Sequence, residues 1–368
     1  GQWTPAPEKF EPGELESFFA LVREKDIQAG IWSCPWLVHA EPNALPPEVD
    51  RPPFLRAYMQ AYALDLVGYD FTSRLLDHIR SLKAQFGIDW WKYDQELFGQ
   101  TSRHGKMRNI LALQDALAAV RRRYPDLAIE NCMSGGRMIN AFTDAIARVH
   151  WIRDGGRTGY AHARSNVQEA FGAVDFLMPA KVQRWTNRPN EVADEEVLRC
   201  YCRSAMIGVW GISADLHKVG EAQRKVILSE VKHYRRLNQL KASLRYEIQY
   251  PQQNQKLVSI VFYDDAGSAA GVLAFRLHSD GPIEEPLQLQ GLARDRGFDV
   301  TDADRKVTVR MRGGDLAEAG LPITLAEGEL SRIYFLEAAP VEEDRSIEIW
   351  YGPRQSFGQV GEAQAWIN

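Results

Sequence analysis

Two short segments of this chain set an aspartate beside residues that could make it reactive. Trp90-Trp91-Lys92-Tyr93-Asp94 ends on one carboxylate and Trp151-Ile152-Arg153-Asp154 on another. In a strand, side chains alternate, so Trp90, Lys92 and Asp94 share one face. An ammonium two residues from a carboxylate favours the ionised form that a carboxylate nucleophile requires. Asp154 points with Ile152, whereas Arg153 is expected on the opposite face, and Gly155-Gly156 leave room for a ligand. A third segment, 130–137 (ENCMSGGR), carries Glu130 and Cys132 on one face, and its Ser-Gly-Gly lets backbone approach a ligand closely. Two carboxylates at neighbouring strand ends are what glycoside hydrolysis needs, one as nucleophile and one as general acid/base. Each segment also has a plainer reading. Asp94 can cap the next helix with Lys92 as its ion pair, Asp154 can open a turn with Gly155, and ENCMSGGR can simply close a tight turn. Glu130 reads more readily as structural than as a second acid. His150 and His162 read as packing or loop residues, and Asp215 either touches ligand or caps a helix.

The elements that must position these groups alternate over residues 1–243. Helical spacing of apolar residues marks 14–25, 71–86 and 106–123, the last ended by Tyr124-Pro125. Short apolar runs at 27–33, 63–66, 88–94, 127–132 and 149–154 read as strands. Further runs at 175–178 and 206–212, then a long helix at 221–240, complete the series. Strands alternating with helices predict a parallel sheet, and several strands end in a polar residue: Ser33, Asp94, Cys132, Asp154. In a (β/α)8 TIM barrel such ends form the mouth where catalytic groups sit. From about residue 244 the texture changes. Strands at 256–263, 271–277, 306–311 and 330–336, with turns between, predict an antiparallel β-sandwich over 244–340. Residues 341–368 read as the start of a further β-segment or tail.

Composition narrows the function. The 368 residues carry 44 Lys+Arg against 49 Asp+Glu, a net charge of −5, which argues against a nucleic-acid or membrane-surface protein. Hydrophobic content of 45% fits a globular chain, and no apolar run reaches the roughly 18 residues of a membrane span. Ten tryptophans are unusual, and indole plates suit the faces of sugars as well as cores. The four cysteines lack a zinc or C-x-x-C redox spacing and read as free thiols. Compartment and self-association as a homo-oligomer are left open.

The segments together resemble the retaining α-galactosidases and melibiases, a glycoside hydrolase clan that includes α-N-acetylgalactosaminidases. Lys92-Tyr93-Asp94 matches the family's K-x-D strand end. Asn131-Cys132-Met133-Ser134-Gly135-Gly136 matches its N-C-x-x-G-G motif, and Trp151-Ile152-Arg153-Asp154 its W-x-S-D motif. Gly30-Ile31-Trp32 is similar to its G-L-W strand, Leu64-Asp65-Leu66 to its L-D-L strand, and 211–216 to its last barrel strand and loop. The resemblance implies Asp94 as nucleophile, Asp154 as acid/base and net retention through a glycosyl–Asp94 intermediate. It also implies Lys92 on sugar hydroxyls, Trp32 and Trp90 on the pocket wall, and Cys132, Gly135 and Arg137 toward the C2 substituent. An oligosaccharide or glycoconjugate is the implied substrate, with no cofactor and no metal.

Three departures qualify the resemblance. The family's first barrel strand has no counterpart in this chain; either a missing N-terminal segment carries it, or another segment supplies the strand. Arg153 stands where serine is usual, and turned onto Asp154 it would hold that carboxylate ionised and weaken it as an acid. The motif's arginine comes one residue early, as Arg137. An α-N-acetylgalactosaminidase or other α-glycosidase, and a sugar-binding protein without turnover, are the alternatives these departures keep open.

Overall fold

A computed structural model describes residues 7–39, 61–63, 66–67, 70–94, 103–154, 158–249, 256–277 and 281–339. Its strands are β1 (Gly30–Ser33), β2 (Leu37–His39), β3 (Ala61–Ala63), β4 (Trp90–Tyr93), β5 (Ala128–Asn131), β6 (Val149–Trp151), β7 (Val182–Asn187) and β8 (Val209–Ser213), followed by β9 (Arg245–Gln249), β10 (Leu257–Tyr263), β11 (Ala269–Arg276), β12 (Ile283–Leu287), β13 (Gly297–Asp302), β14 (Val307–Arg312), β15 (Leu321–Leu325) and β16 (Ser331–Ala338).

Strands β1, β4, β5, β6, β7 and β8 pair in parallel, in that order, as a six-stranded half-barrel with helices packed against it. Helix Phe71–Phe86 shows how the sequence builds this layer. Phe71, Leu75, Ile79, Leu82 and Phe86 recur at helical spacing and are all buried, and Gly87 ends the helix at φ +60°. They pack with Trp36, Trp91, Tyr93, Leu117 and Ile129. The motif 64–66 does not contribute a parallel strand among the described residues. Leu64 and Asp65 lie outside them, Leu66 sits in a turn, and Ala61–Ala63 pairs with Leu37–His39 as a small hairpin. The strand expected at 175–178 is also absent. That stretch is a turn that leaves Phe176 and Met178 exposed. The sheet instead uses β7, whose VQRWTN sequence carries no apolar run and whose buried Arg184 pairs with Glu169 on helix Gly159–Ala173.

The later strands form a six-stranded antiparallel sheet, ordered β14-β13-β16-β11-β10-β9, faced by the two-stranded β12-β15 sheet. All seven residues of β10 are buried because both its faces are covered. Val258, Ile260 and Phe262 join the core beneath helices Gly159–Ala173, Glu195–Met206 and Glu221–Lys241, while Leu257, Val261 and Tyr263 pack on the other side. The sequence between 281 and 302 is too charged to read as strand, and β12 and β13 are found only in the fold. Residues 341–368 lie outside the described residues. No described helix is long and apolar enough to cross a membrane.

One buried cluster ties the helices to the antiparallel sheet. Arg203, fully buried on helix Glu195–Met206, donates to both Glu230 oxygens at 3.0 Å and to Asp304 at 2.9 Å, beyond β13. Burial disfavours an ionised Glu230, but Arg203 and His233 more than reverse this and hold its carboxyl at about 2. Replacing Glu230 with alanine leaves the Arg203 guanidinium buried with one of its two carboxylate partners gone. The expected cost is about 3–5 kcal/mol, read by denaturant unfolding; an unchanged midpoint would contradict the cluster's role.

Lys241 gives a pH signature. Its buried amine donates to Met206 and Gly208 carbonyls and lies against Tyr234 and Phe262. Burial pushes its pKa down to about 7 from 10.5. The unfolded chain therefore binds the extra proton between these values, so stability rises with pH across that window and the penalty is full below it. Thermal melts are expected to show a gain from about pH 7 to 9 in the parent that Lys241→Met lacks.

Candidate active site

Alternation along β4 sorts its residues. Trp91 and Tyr93 are buried against the helices, while Trp90, Lys92 and Asp94 turn to the opposite, half-open face. Register then sets neighbours: Trp32 of β1 and Glu130 of β5 flank Lys92 on either side. Lys92 Nζ lies 3.1 Å from Glu130 Oε1 and 3.6 Å from the Trp151 ring centroid. Trp90 Nε1 donates to Glu130 Oε2 at 2.8 Å. Trp151 is buried edge-on against Trp185, and its ring face carries the Lys92 ammonium. Strand β6 ends at Trp151, so simple alternation does not extend to Asp154.

The ENCMSGGR segment forms an unusual turn. Met133, Ser134, Gly135 and Gly136 have φ of 46°, 55°, 76° and 87°, four left-handed residues in succession. Two of them are not glycine, an arrangement that other contacts must sustain. Beneath it, the Asn131 amide nitrogen donates to the Met138 carbonyl at 3.3 Å and to His150 Nδ1 at 3.0 Å. His150 Nε2 then faces Asp144 at 3.3 Å, and burial lowers its pKa. His150 thus braces the turn from below.

Both aspartates meet this turn. Asp94 Oδ1 accepts from the Ser134 amide at 2.8 Å, and Asp94 Oδ2 accepts from the Trp32 indole at 3.3 Å. Asp154 Oδ1 lies 3.6 Å from Cys132 Sγ. Burial pushes the Cys132 thiol far up, and Lys92 counters this only in part, so the sulfur stays protonated and faces Asp154 as a donor. A Cβ on Gly135 would lie 2.4 Å from the Asp154 amide nitrogen, and one on Gly136 would lie 2.8 Å from the Ile152 carbonyl. Glycine is therefore what lets the turn carry Cys132 and Ser134 to the two carboxylates.

The remaining candidates lie further out. Arg137 is exposed at the end of the turn. Arg153 is directed to Glu169, whose other oxygen pairs with buried Arg184 at 2.8 Å. Neither Glu169 nor Arg184 carries a motif, and only the fold brings them beside the site. His162 sits in the core against the Tyr201 hydroxyl, and Asp215 caps Leu216–Lys218 through the His217 amide at 3.2 Å. Gly155 and Gly156 lie outside the described residues. Among the described residues no group of three His, Cys, Asp or Glu could hold a metal ion. A carboxylate held by two N–H donors, a second carboxylate on the same turn and a fixed ammonium can together bind a polyhydroxylated ligand and move a proton at it.

The chain is similar to known proteins over most of its length. Residues 1–243 match the Melibiase family model. Alpha-galactosidase 1 of Pediococcus pentosaceus is 23% identical over 257 residues, 65% of this chain and 34% of that protein. An α-galactosidase structure from Lactobacillus brevis superposes with a TM-score of 0.73 at 18% identity, covering 92% of this chain and 48% of that one. A GH36 α-galactosidase of Geobacillus stearothermophilus, in complex with stachyose, gives 0.76 at 19% identity, with 92% and 48% covered. A candidate α-N-acetylgalactosaminidase of Bacillus halodurans gives 0.59 at 14% identity, with 90% and 80% covered. The chain thus spans about half the length of the first two solved relatives and a third of the curated one. At these identities the superpositions speak for the fold.

Gly135→Ala tests the turn. Its φ of +76° and the contact with Asp154 exclude a methyl group without displacement. The variant is expected to lose about 1–3 kcal/mol or more in unfolding experiments, and a parent-like midpoint would refute the close approach.

Proposed function

Because this chain belongs to the Melibiase family, we propose that it is a retaining α-glycosidase acting on terminal α-linked galactose-type sugars of an oligosaccharide or glycoconjugate. The observation that carries the reading is that Asp94 and Asp154 contact one turn, at Ser134 and Cys132 respectively. Two carboxylates held from a single turn keep a fixed separation, as a displacement and a proton transfer at one anomeric carbon require.

Asp94 is the nucleophile. The Ser134 amide and Trp32 indole hydrogen bonds aim its carboxylate. Its attack on the anomeric carbon forms the glycosyl–Asp94 ester as the glycosidic bond breaks. Asp154 gives its proton to the leaving oxygen, then takes one from the water that cleaves the ester. Arg153, engaged with Glu169, leaves Asp154 to the Cys132 thiol. Lys92 offers N–H donors to sugar hydroxyls on the same face as Asp94, and Trp32 and Trp90 wall the pocket. Cys132, Gly135 and Arg137 lie toward the C2 side. The similar proteins that are α-galactosidases support galactose over other glycones.

Asp94→Ala is expected to reduce turnover of an aryl α-galactoside on the order of 10⁴-fold or more. Undiminished hydrolysis by that variant would refute the nucleophile. Asp154→Ala is expected to lose about 10²–10⁴-fold on a poor leaving group and to recover with azide on an activated one. Proton NMR of the first product should show the α-anomer; the β-anomer would establish inversion instead. A parallel α-N-acetylgalactosaminide that is cleaved faster would change the glycone.

A further inference from the structure

Glu130 is the buried acid that these roles do not use. It stands mid-strand in β5, 5% exposed, where a carboxylate is costly unless its oxygens find donors. It has two partners, both on β4: the Lys92 ammonium pairs with Oε1 at 3.1 Å, and the Trp90 indole donates to Oε2 at 2.8 Å. The parallel register sets Lys92 directly opposite Glu130, and the strand period puts Trp90 on the same face two residues earlier. A single carboxylate thereby fixes both the head of a flexible four-carbon side chain and the plane of an indole. The face of Trp151 closes the other side of the ammonium. Lys92 carries three N–H donors, and it lies part-exposed on the face of the sheet that Asp94 shares, where a ligand can meet them.

We propose that Glu130 is a positioning residue for sugar recognition, holding Lys92 and Trp90 as a rigid pair that binds one edge of the glycone. This rests on the glycosidase reading above. A merely structural Glu130 would stabilise the strand pair. A positioning Glu130 also sets the charge that the two aspartates meet. The charged and titratable groups facing the Lys92 ammonium are Glu130 on β5 and Asp94 just past its own strand, with Cys132 past the end of β5 and Asp154 past the end of β6; Lys92, Asp94 and Asp154 all lie close enough to bear on the Cys132 thiol. With Glu130 ionised, the lysine charge is balanced locally. Without it, the uncompensated ammonium favours the ionised form of both aspartates.

The test compares the parent chain with Glu130→Gln and Glu130→Asp in two measurements. One is D-galactose affinity by titration calorimetry, and the other is the pH profile of kcat/KM for an aryl α-galactoside. Glutamine keeps an acceptor but removes the charge. It is expected to weaken galactose binding roughly tenfold or more and to move both limbs of the profile to lower pH. Aspartate keeps the charge but is one methylene short, so it should restore the limbs while leaving affinity reduced. Circular dichroism and thermal melts establish that the variants are folded. A Glu130→Gln variant that fails to fold leaves the Glu130→Asp comparison to decide: parent-like affinity there overturns the proposal. Parent-like affinity and pH limbs in a folded Glu130→Gln overturn it as well, with the glycosidase reading intact. A parent chain that neither binds galactose nor cleaves the substrate overturns that reading and this role together.

Discussion

The four left-handed residues from Met133 to Gly136 are the constraint on which the site depends. Such backbone is unfavourable for methionine and serine, and it persists only where surrounding contacts outweigh the local cost. Those contacts are visible on both sides. Asn131 and His150 brace the turn from below, while Gly135 and Gly136 press against the backbone of 152–154. The return is geometric. A tight reversal at the end of β5 projects the Ser134 amide toward β4 and the Cys132 thiol toward the loop after β6. One local conformation therefore couples three neighbouring strand ends.

Electrostatics follows from the same arrangement. The site gathers three carboxylates, Asp94, Glu130 and Asp154, around one ammonium, and each meets a different donor set. Asp94 receives two N–H groups, Glu130 receives the lysine and an indole, and Asp154 faces a thiol that burial keeps protonated. Groups of the same type are thus fitted to different tasks by their neighbours. Arg153, a second cation at the mouth, is drawn off by Glu169, which buried Arg184 holds from behind.

The scaffold that keeps these strand ends still relies on a second buried assembly. Arg203, Glu230 and Asp304 join two helices of the half-barrel to the turn after β13. The apolar core runs through the same contact, because Val258, Ile260 and Phe262 of β10 pack into the helices. The antiparallel sheet is therefore part of what fixes the helix layer, and through it the parallel strands.

Where local pattern and tertiary environment agree, the sequence was legible. Phe71–Phe86, with five buried apolar residues at helical spacing, reads as the helix it is, and the alternation of β4 correctly puts Trp90, Lys92 and Asp94 on one face. The K-x-D, N-C-x-x-G-G and W-x-x-D spacings, in order with three further motifs, brought the family into view. Strand β7 was illegible because its buried Arg184 breaks the apolar run and is tolerated through Asn166 and Glu169 on helix Gly159–Ala173. The direction of Arg153 and the placing of Trp151 under Lys92 were equally hidden, since both are set by partners on other elements. The sequence by itself determined which groups could do chemistry and on which strands they ride, because side-chain type and strand period are local properties. Only the tertiary structure decided which donor meets which carboxylate, because register across parallel strands and a strained turn are settled by packing between distant segments.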